Sequence, residues 1–198
     1  AEAEAYYQQC LTMVRELGDR QSEANTLGNL GVVASNQGKY AEAKAYYQQC
    51  LPLFRELGDR KGEANTLTNL AVVAVEQGTY AEAEGYYQQS LSLFRELGDR
   101  KGEATTLRNL GVAANNQGRY AEAETYYQQS LGIVRELGDR QGEASTLINL
   151  GVVAANQGKY AEAEAYYQQS LTIVRELGDR QVESNALIAL GIVATKQE

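Results

Sequence analysis

The stretch RELGDR at residues 15–20 decides the fold of this 198-residue chain. The same six letters return every forty residues, beginning at Arg55, Arg95, Arg135 and Arg175. Glycine ends a helix readily because it adopts the left-handed conformation, and an aspartate after it caps the first turn of a new helix. The motif therefore predicts a helix end, a glycine stop and a helix start. We also expect Glu16 and Arg20 to pair across this turn.

The segments on either side of the motif have the spacing of amphipathic helices. In the segment Ala41–Leu57, one helical face carries Ala43, Tyr47, Cys50, Leu51 and Phe54. In the segment Ser22–Gly38, one face carries Ala24, Leu27, Leu30, Gly31 and Ala34. Each repeat is therefore predicted to be a pair of antiparallel helices that buries its apolar faces against neighbouring repeats.

The forty-residue repeat covers the whole chain and leaves no stretch for a second domain. We predict an all-α fold, a solenoid of about ten antiparallel helices that forms a single domain over residues 1–198. The position at which the repeat starts relative to the chain predicts an unpaired outer helix at 1–17, four complete helix pairs at 22–177 and an unpaired inner helix at 181–197. The near identity of the copies fits either recent duplication or deliberate design.

With the helices assigned, the sequence resembles the tetratricopeptide repeat. The residues that carry the resemblance are Leu27, Leu30-Gly31, Gly38, Tyr40, Ala43, Tyr47, Cys50 and Leu51, with their equivalents in later copies. The repeat is longer than the usual 34 residues, and Ala34 stands where an aromatic residue is usual. It is similar to the longer repeats of Leu-Gly-Asn-repeat adaptors and of the sensor regions of bacterial signalling NTPases. This resemblance implies a right-handed α-α superhelix whose concave face is formed by the first helix of each pair.

The resemblance also implies which side chains face the concave groove. Asparagine repeats at these positions, and an amide side chain both donates and accepts hydrogen bonds, as an extended peptide backbone requires. The alternative is that these amides brace neighbouring helices. The candidate groove residues are Asn25, Asn29, Asn65, Asn69, Arg108, Asn109, Asn116, Asn149 and Asn156.

Composition narrows the function classes. The net charge of -8 disfavours nucleic acid and anionic membranes as partners. The chain has no histidine, and its carboxylates are spread over repeated helix surfaces, so we expect no enzyme, no metal site and no cofactor. Cys10 and Cys50 share a repeat position that is serine in other copies, which favours a packed contact. With no leader and no membrane-length apolar run, we interpret the chain as a cytoplasmic fragment, although a targeting signal elsewhere in a longer parent stays open.

Three hypotheses for function remain. The leading one is a protein-interaction scaffold that holds an unidentified peptide or helix of another protein in the groove. The second is a structural module that associates head to tail through its uncapped ends. The third is a sensor arm of a larger signalling NTPase. For the second hypothesis the contact residues are Tyr7, Leu11 and Val14 near one end, with Leu187, Leu190 and Ala194 near the other.

Overall fold

The computed structural model describes residues 2–197, without the side chain of Gln197, so Ala1 of the predicted outer helix lies outside the described residues. The described chain is all helical, without a strand. This confirms the predicted all-α class of about ten antiparallel helices. The helices are α1 Glu2–Leu17, α2 Arg20–Asn36, α3 Tyr40–Glu56, α4 Arg60–Glu76, α5 Tyr80–Leu97, α6 Arg100–Asn116, α7 Tyr120–Glu136, α8 Arg140–Asn156, α9 Tyr160–Leu177 and α10 Arg180–Gln197.

The chain divides into two compact units, Ala1–Asp99 and Arg100–Glu198. In the first unit α1 to α5 pack in sequence order, each mainly on its neighbours, and in the second unit α6 to α10 do the same. Contacts of this kind bury each apolar helix face on the adjacent helix, as a repeat architecture requires. The single domain over residues 1–198 stays a prediction.

The glycine and aspartate of the repeated motif act at the turn as predicted. Gly18 has a φ of 68°, the left-handed conformation that ends α1. The Asp19 carboxylate accepts a hydrogen bond from the backbone N–H of Ser22 at 3.0 Å, which satisfies one of the free donors at the start of α2. This hydrogen bond also lowers the pKa of Asp19.

The charged residues of the motif do not pair as expected. Arg20 donates to Oε2 of Glu23 at 3.0 Å, and Arg15 donates to Oε1 of the same glutamate at 2.8 Å. The expectation of a Glu16–Arg20 pair was wrong, because Arg20 and Glu23 lie three residues apart on one face of α2. Glu23 is buried, and two arginines compensate the cost of burying its charge. The same cluster recurs at Arg55–Arg60–Glu63, Arg135–Arg140–Glu143 and Arg175–Arg180–Glu183.

The core is formed by the predicted apolar faces, and glycine has a defined place in it. Leu30 and Tyr47 are almost completely buried. A Cβ atom added at Gly31 would lie 2.4 Å from Cε1 of Tyr47, so the tyrosine ring rests directly on the backbone of α2. Gly111 and Gly151 meet Tyr127 and Tyr167 in the same way. Burial raises the pKa of Tyr47 to about 12.

The position shared by cysteine and serine is a packed contact, as predicted. Cys50 is fully buried, and burial raises the pKa of its thiol to about 11. The serines at this position donate to a backbone carbonyl of the preceding helix: Ser90 to Ala64, Ser130 to Ala104 and Ser170 to Ala144, at 2.9 to 3.0 Å. Cys10 differs because it is exposed.

Candidate peptide-binding groove

An open groove with a volume of about 570 Å³ lies in the first unit, between the exposed faces of α2 and α4. It forms because both helices bury one face and leave asparagines on another. Four of the predicted groove residues come together here: Asn25 and Asn29 from α2, with Asn65 and Asn69 from α4. The other residues that line the groove are Gly28, Val32, Phe54, Asp59, Lys61, Gly62 and Thr66.

The four asparagine amides of the groove are available for a ligand. Asn25, Asn29 and Asn65 are exposed, and Asn69 is half-buried. In the part of the chain that the structure describes, none of these four side chains hydrogen-bonds to another protein group. Whether these amides bind a peptide or brace neighbouring helices through packing stays a question for experiment. Each amide can offer one carbonyl oxygen and two N–H donors.

Charged residues lie at one end of the groove and are already paired. Lys61 contacts Oδ2 of Asp99 at 2.9 Å. The Asp59 carboxylate accepts hydrogen bonds from the backbone N–H of Gly62 at 2.8 Å and from Nε2 of Gln21 at 3.3 Å. The groove therefore presents mainly neutral polar groups and the side chain of Val32, which is 41% exposed. Sequence reasoning missed Asp59 and Lys61, although both belong to the turn and first helical turn that precede Asn65.

The predicted groove residues of the second unit have more varied surroundings. Arg108 lines a small cavity of about 20 Å³ with Lys101 and Thr105. Asn109 and Asn149 are half-buried, whereas Asn116 is exposed. Asn156 donates from Nδ2 to Oδ1 of Asn115 at 3.1 Å, so this amide connects neighbouring repeats.

The residues predicted for self-association have different surroundings. On α1, Leu11 and Val14 are buried within the chain itself, and Tyr7 is half-buried. On α10, Leu187 and Ala194 are exposed, and Leu190 is half-buried. Both helices therefore expose apolar side chains, which on α1 include Met13 and Leu17 and on α10 include Leu187 and Ile192.

Among residues 2–197, no three His, Cys, Asp or Glu side chains come close enough together to hold a metal ion. None of the ten described helices has the length and apolar character needed to cross a membrane.

Comparison with known proteins identifies one family. The family model described as tetratricopeptide repeat matches residues 1–56, 62–136 and 142–198, which is most of the chain. No curated protein matched the sequence.

Solved structures of low sequence identity share the fold. BtubC from P. vanneervenii superposes with a TM-score of 0.86 at 22% identity, over 99% of this chain and 83% of that protein. Aspartyl phosphate phosphatase F from Bacillus subtilis gives a TM-score of 0.90 at 15% identity, over 96% of this chain and 50% of that protein. A signal transduction ATPase with numerous domains from Pyrococcus horikoshii, which has a tetratricopeptide repeat sensor, gives 0.82 at 15% identity. The chain covers only 30% of that ATPase, so it matches a minor part of it.

Proposed function

The chain belongs to the tetratricopeptide repeat family, and from that premise we propose that it is a protein-interaction scaffold that holds an extended peptide between α2 and α4. The observation that carries the proposal is the set of four unpaired amides in one groove, Asn25, Asn29, Asn65 and Asn69. A peptide in extended conformation presents an N–H donor and a C=O acceptor at every residue. Neighbouring amides on two helices match this alternation without requiring a particular peptide sequence.

Side-chain preference in this proposal comes from the remaining groove surface. Gly28 leaves open space, since nothing lies within 4 Å of a Cβ added there. Val32 beside it offers an exposed apolar contact. Because Lys61 already contacts Asp99 and most of the lining residues are uncharged, we expect neutral or weakly apolar peptides to bind better than strongly charged ones.

A scaffold without catalysis is also the simplest account of the side chains present. The chain has no histidine, and the buried glutamates that follow the repeated motif, such as Glu23, are held by arginines. The likeness to a phosphatase concerns the fold, and the chain spans half of that protein. We therefore expect no enzymatic activity. The sensor arm of a larger signalling NTPase stays a second hypothesis.

The proposal is tested with peptides selected from a random library for binding to the chain, with affinities measured by fluorescence polarisation. Asn29→Ala combined with Asn69→Ala removes two amides and is expected to weaken binding by about tenfold or more, since each lost hydrogen bond contributes about 0.5–1.5 kcal/mol. The matched control is Gln48→Ala, an exposed amide on α3 that does not line the groove. Circular dichroism checks that helicity and the melting temperature are unchanged in both variants.

A second measurement separates backbone recognition from side-chain recognition. N-methylation of central peptide bonds removes backbone donors, and we expect it to abolish binding where substitution of single peptide side chains does not. Selected peptides that bind the double variant as tightly as the unaltered chain would disprove the proposed site. Unfolding of the double variant would mean that the amides stabilise the scaffold instead.

A further inference from the structure

One face of α10 is exposed where the same face of α8 is buried. Leu187 is 46% exposed, whereas Leu147, its equivalent one repeat earlier, is 1% exposed. Ala194 is exposed, and its equivalent Ala154 is buried. In α8 this face is covered by α9. The exposed face of α10 therefore has the composition of a buried interface.

Gly191 on this face is shaped to receive an aromatic ring. The equivalent Gly151 lies under the ring of Tyr167, whose Cε1 is 2.4 Å from the position of an added Cβ. At Gly191, by contrast, no described atom lies within 4 Å of that position. Because glycine has no side chain, the surface at Gly191 has room for a tyrosine ring, and no tyrosine of the described chain lies there.

Helix α1 carries the complementary face. It has the same repeat positions as α9, so Tyr7 corresponds to Tyr167. In α9 these positions are buried against α8, whereas in α1 several of them are open: Met13 is 61% exposed, Ala3 and Cys10 are exposed, and Tyr7 is half-buried. Within the described residues the α10 face has no covering helix, and the helix that matches α9 in sequence and leaves these positions open is α1 of the same chain.

Charges at this contact also match. Arg140 of α8 donates to Glu176 of α9 at 2.9 Å, and Arg60 of α4 donates to Glu96 of α5 at 2.7 Å. The next arginine in this series is Arg180 of α10, whose side chain is 87% exposed. The glutamate in the matching position of α1 is Glu16, which is exposed. Bringing α1 onto α10 in the register of α9 on α8 places these opposite charges together.

We propose that the apolar face of α10 binds helix α1 of a second copy of this chain, with Tyr7 of that copy seated on Gly191. The contact continues the packing that α8 and α9 already make within one chain. It joins two different surfaces, so it is heterologous, and each copy can both give and receive a helix. Association therefore grows beyond a dimer. The groove residues of α2 and α4 play no part in this contact.

The oligomeric state of the 198-residue chain tests the proposal directly. Sedimentation velocity from low micromolar to millimolar concentration is expected to show a mass that rises with concentration. Leu187→Glu is expected to keep the chain monomeric, because it places a charge at the centre of the contact. The matched control is Ile192→Glu on the same helix, since Ile192 is 58% exposed and its equivalent Val152 remains 36% exposed even with α9 in place. The control is expected to associate like the unaltered chain.

Alkylation of Cys10 reports the register of the contact. Its repeat equivalents Cys50 and Ser170 are fully buried, so Cys10 of an associated copy becomes inaccessible. We expect its modification rate to fall about tenfold or more at high concentration, as for a group protected from solvent, and not to fall in Leu187→Glu. A chain that stays monomeric at all concentrations would overturn the proposal. So would association that Leu187→Glu does not weaken, or association that leaves Cys10 fully reactive.

Discussion

Arg15 and Glu23 meet across the turn between α1 and α2, with Nε of the arginine 2.8 Å from Oε1 of the glutamate. They lie on either side of the Gly18–Asp19 turn, so the pair connects the end of one helix to the first turn of the next. Arg20 holds the other carboxylate oxygen. The repeated RELGDR motif therefore encodes a helix stop, a helix start and two arginines for a buried glutamate.

Replacing this glutamate tests the cluster. Glu23→Gln is expected to reduce the free energy of unfolding by about 1–3 kcal/mol, the range for hydrogen bonds to charged groups. The cost stays moderate because Arg15 and Arg20 are about half exposed and return to water. Urea denaturation gives the measurement. The control Glu56→Gln removes the same charge at an exposed site and should change stability by less than about 0.5 kcal/mol. Equal losses in the two variants would mean that total charge, and not the cluster, is responsible.

The same cluster makes stability depend on pH. The hydrogen bond from Arg15, assisted by Arg20, outweighs burial and lowers the pKa of Glu23. The pKa in the folded state is thus below the unfolded value of about 4.3. The stabilisation is fully present above that pH and is lost as the pH falls through the folded pKa. The stability difference between the unaltered chain and Glu23→Gln should therefore be constant near neutral pH and shrink in acid. A difference that persists unchanged to pH 3 would contradict this assignment.

Glycines inside the helices fall into two classes with opposite predictions. A Cβ at Gly111 would lie 2.5 Å from Cε1 of Tyr127, so Gly111→Ala forces the ring to move and should cost about 1–3 kcal/mol. Gly132 has no atom within 4 Å of that position. Gly132→Ala should therefore stabilise α7 by about 0.5–1 kcal/mol through helix propensity. Thermal unfolding of both variants checks the two signs. A stabilising Gly111→Ala would show that the Tyr127 ring moves aside without cost.

The predicted core is tested at Leu30, which is 1% exposed. Leu30→Ala is expected to lower the free energy of unfolding by about 2–5 kcal/mol, because it removes buried methyl groups and leaves a cavity. Leu57→Ala provides the comparison, since Leu57 is 42% exposed and should cost much less. Chemical denaturation of the two variants distinguishes a buried position from a surface one. A negligible loss of unfolding free energy in Leu30→Ala would mean that the face of α2 that carries Leu30 is not the buried one.

The local signals in the sequence were sufficient to predict the helices and most of the core. Gly18 and Asp19 set the helix boundaries, and the 3.6-residue spacing identified Leu27, Leu30 and Tyr47 as buried, as the structure confirms. The Tyr46 hydroxyl accepts a hydrogen bond from Gln8 at 2.7 Å, so this side chain lies at the contact with the neighbouring repeat. These features depend on neighbours within one or two helical turns, or on the repeat itself.

Contacts across a turn were not predictable in the same way. Arg15 reaches Glu23 only because the turn folds α2 back along α1, so their spacing of eight residues has no meaning in a single helix. Similarly, the sequence gives asparagine at position 29 and at position 156 without saying which amide is already paired. That distinction depends on which side chains of the neighbouring helix lie within reach. Asn156 hydrogen-bonds to Asn115, whereas the Asn29 side chain has no protein partner in the described residues.

Packing between sequence neighbours also has a consequence for how the chain folds. Helices α3 and α5 offer almost the same face, since Tyr47 and Tyr87 are equally buried against the helices that precede them. A folding α2 therefore meets two partners that differ little in surface energy. What distinguishes them is the link at residues 37–39, which makes closure onto α3 far less costly in entropy than closure over a whole repeat. The lengths of the connections therefore decide which helices pair. Lengthening the link after α2 should allow α5 to compete with α3 for packing on α2. We expect this change to slow refolding more than it lowers the free energy of unfolding.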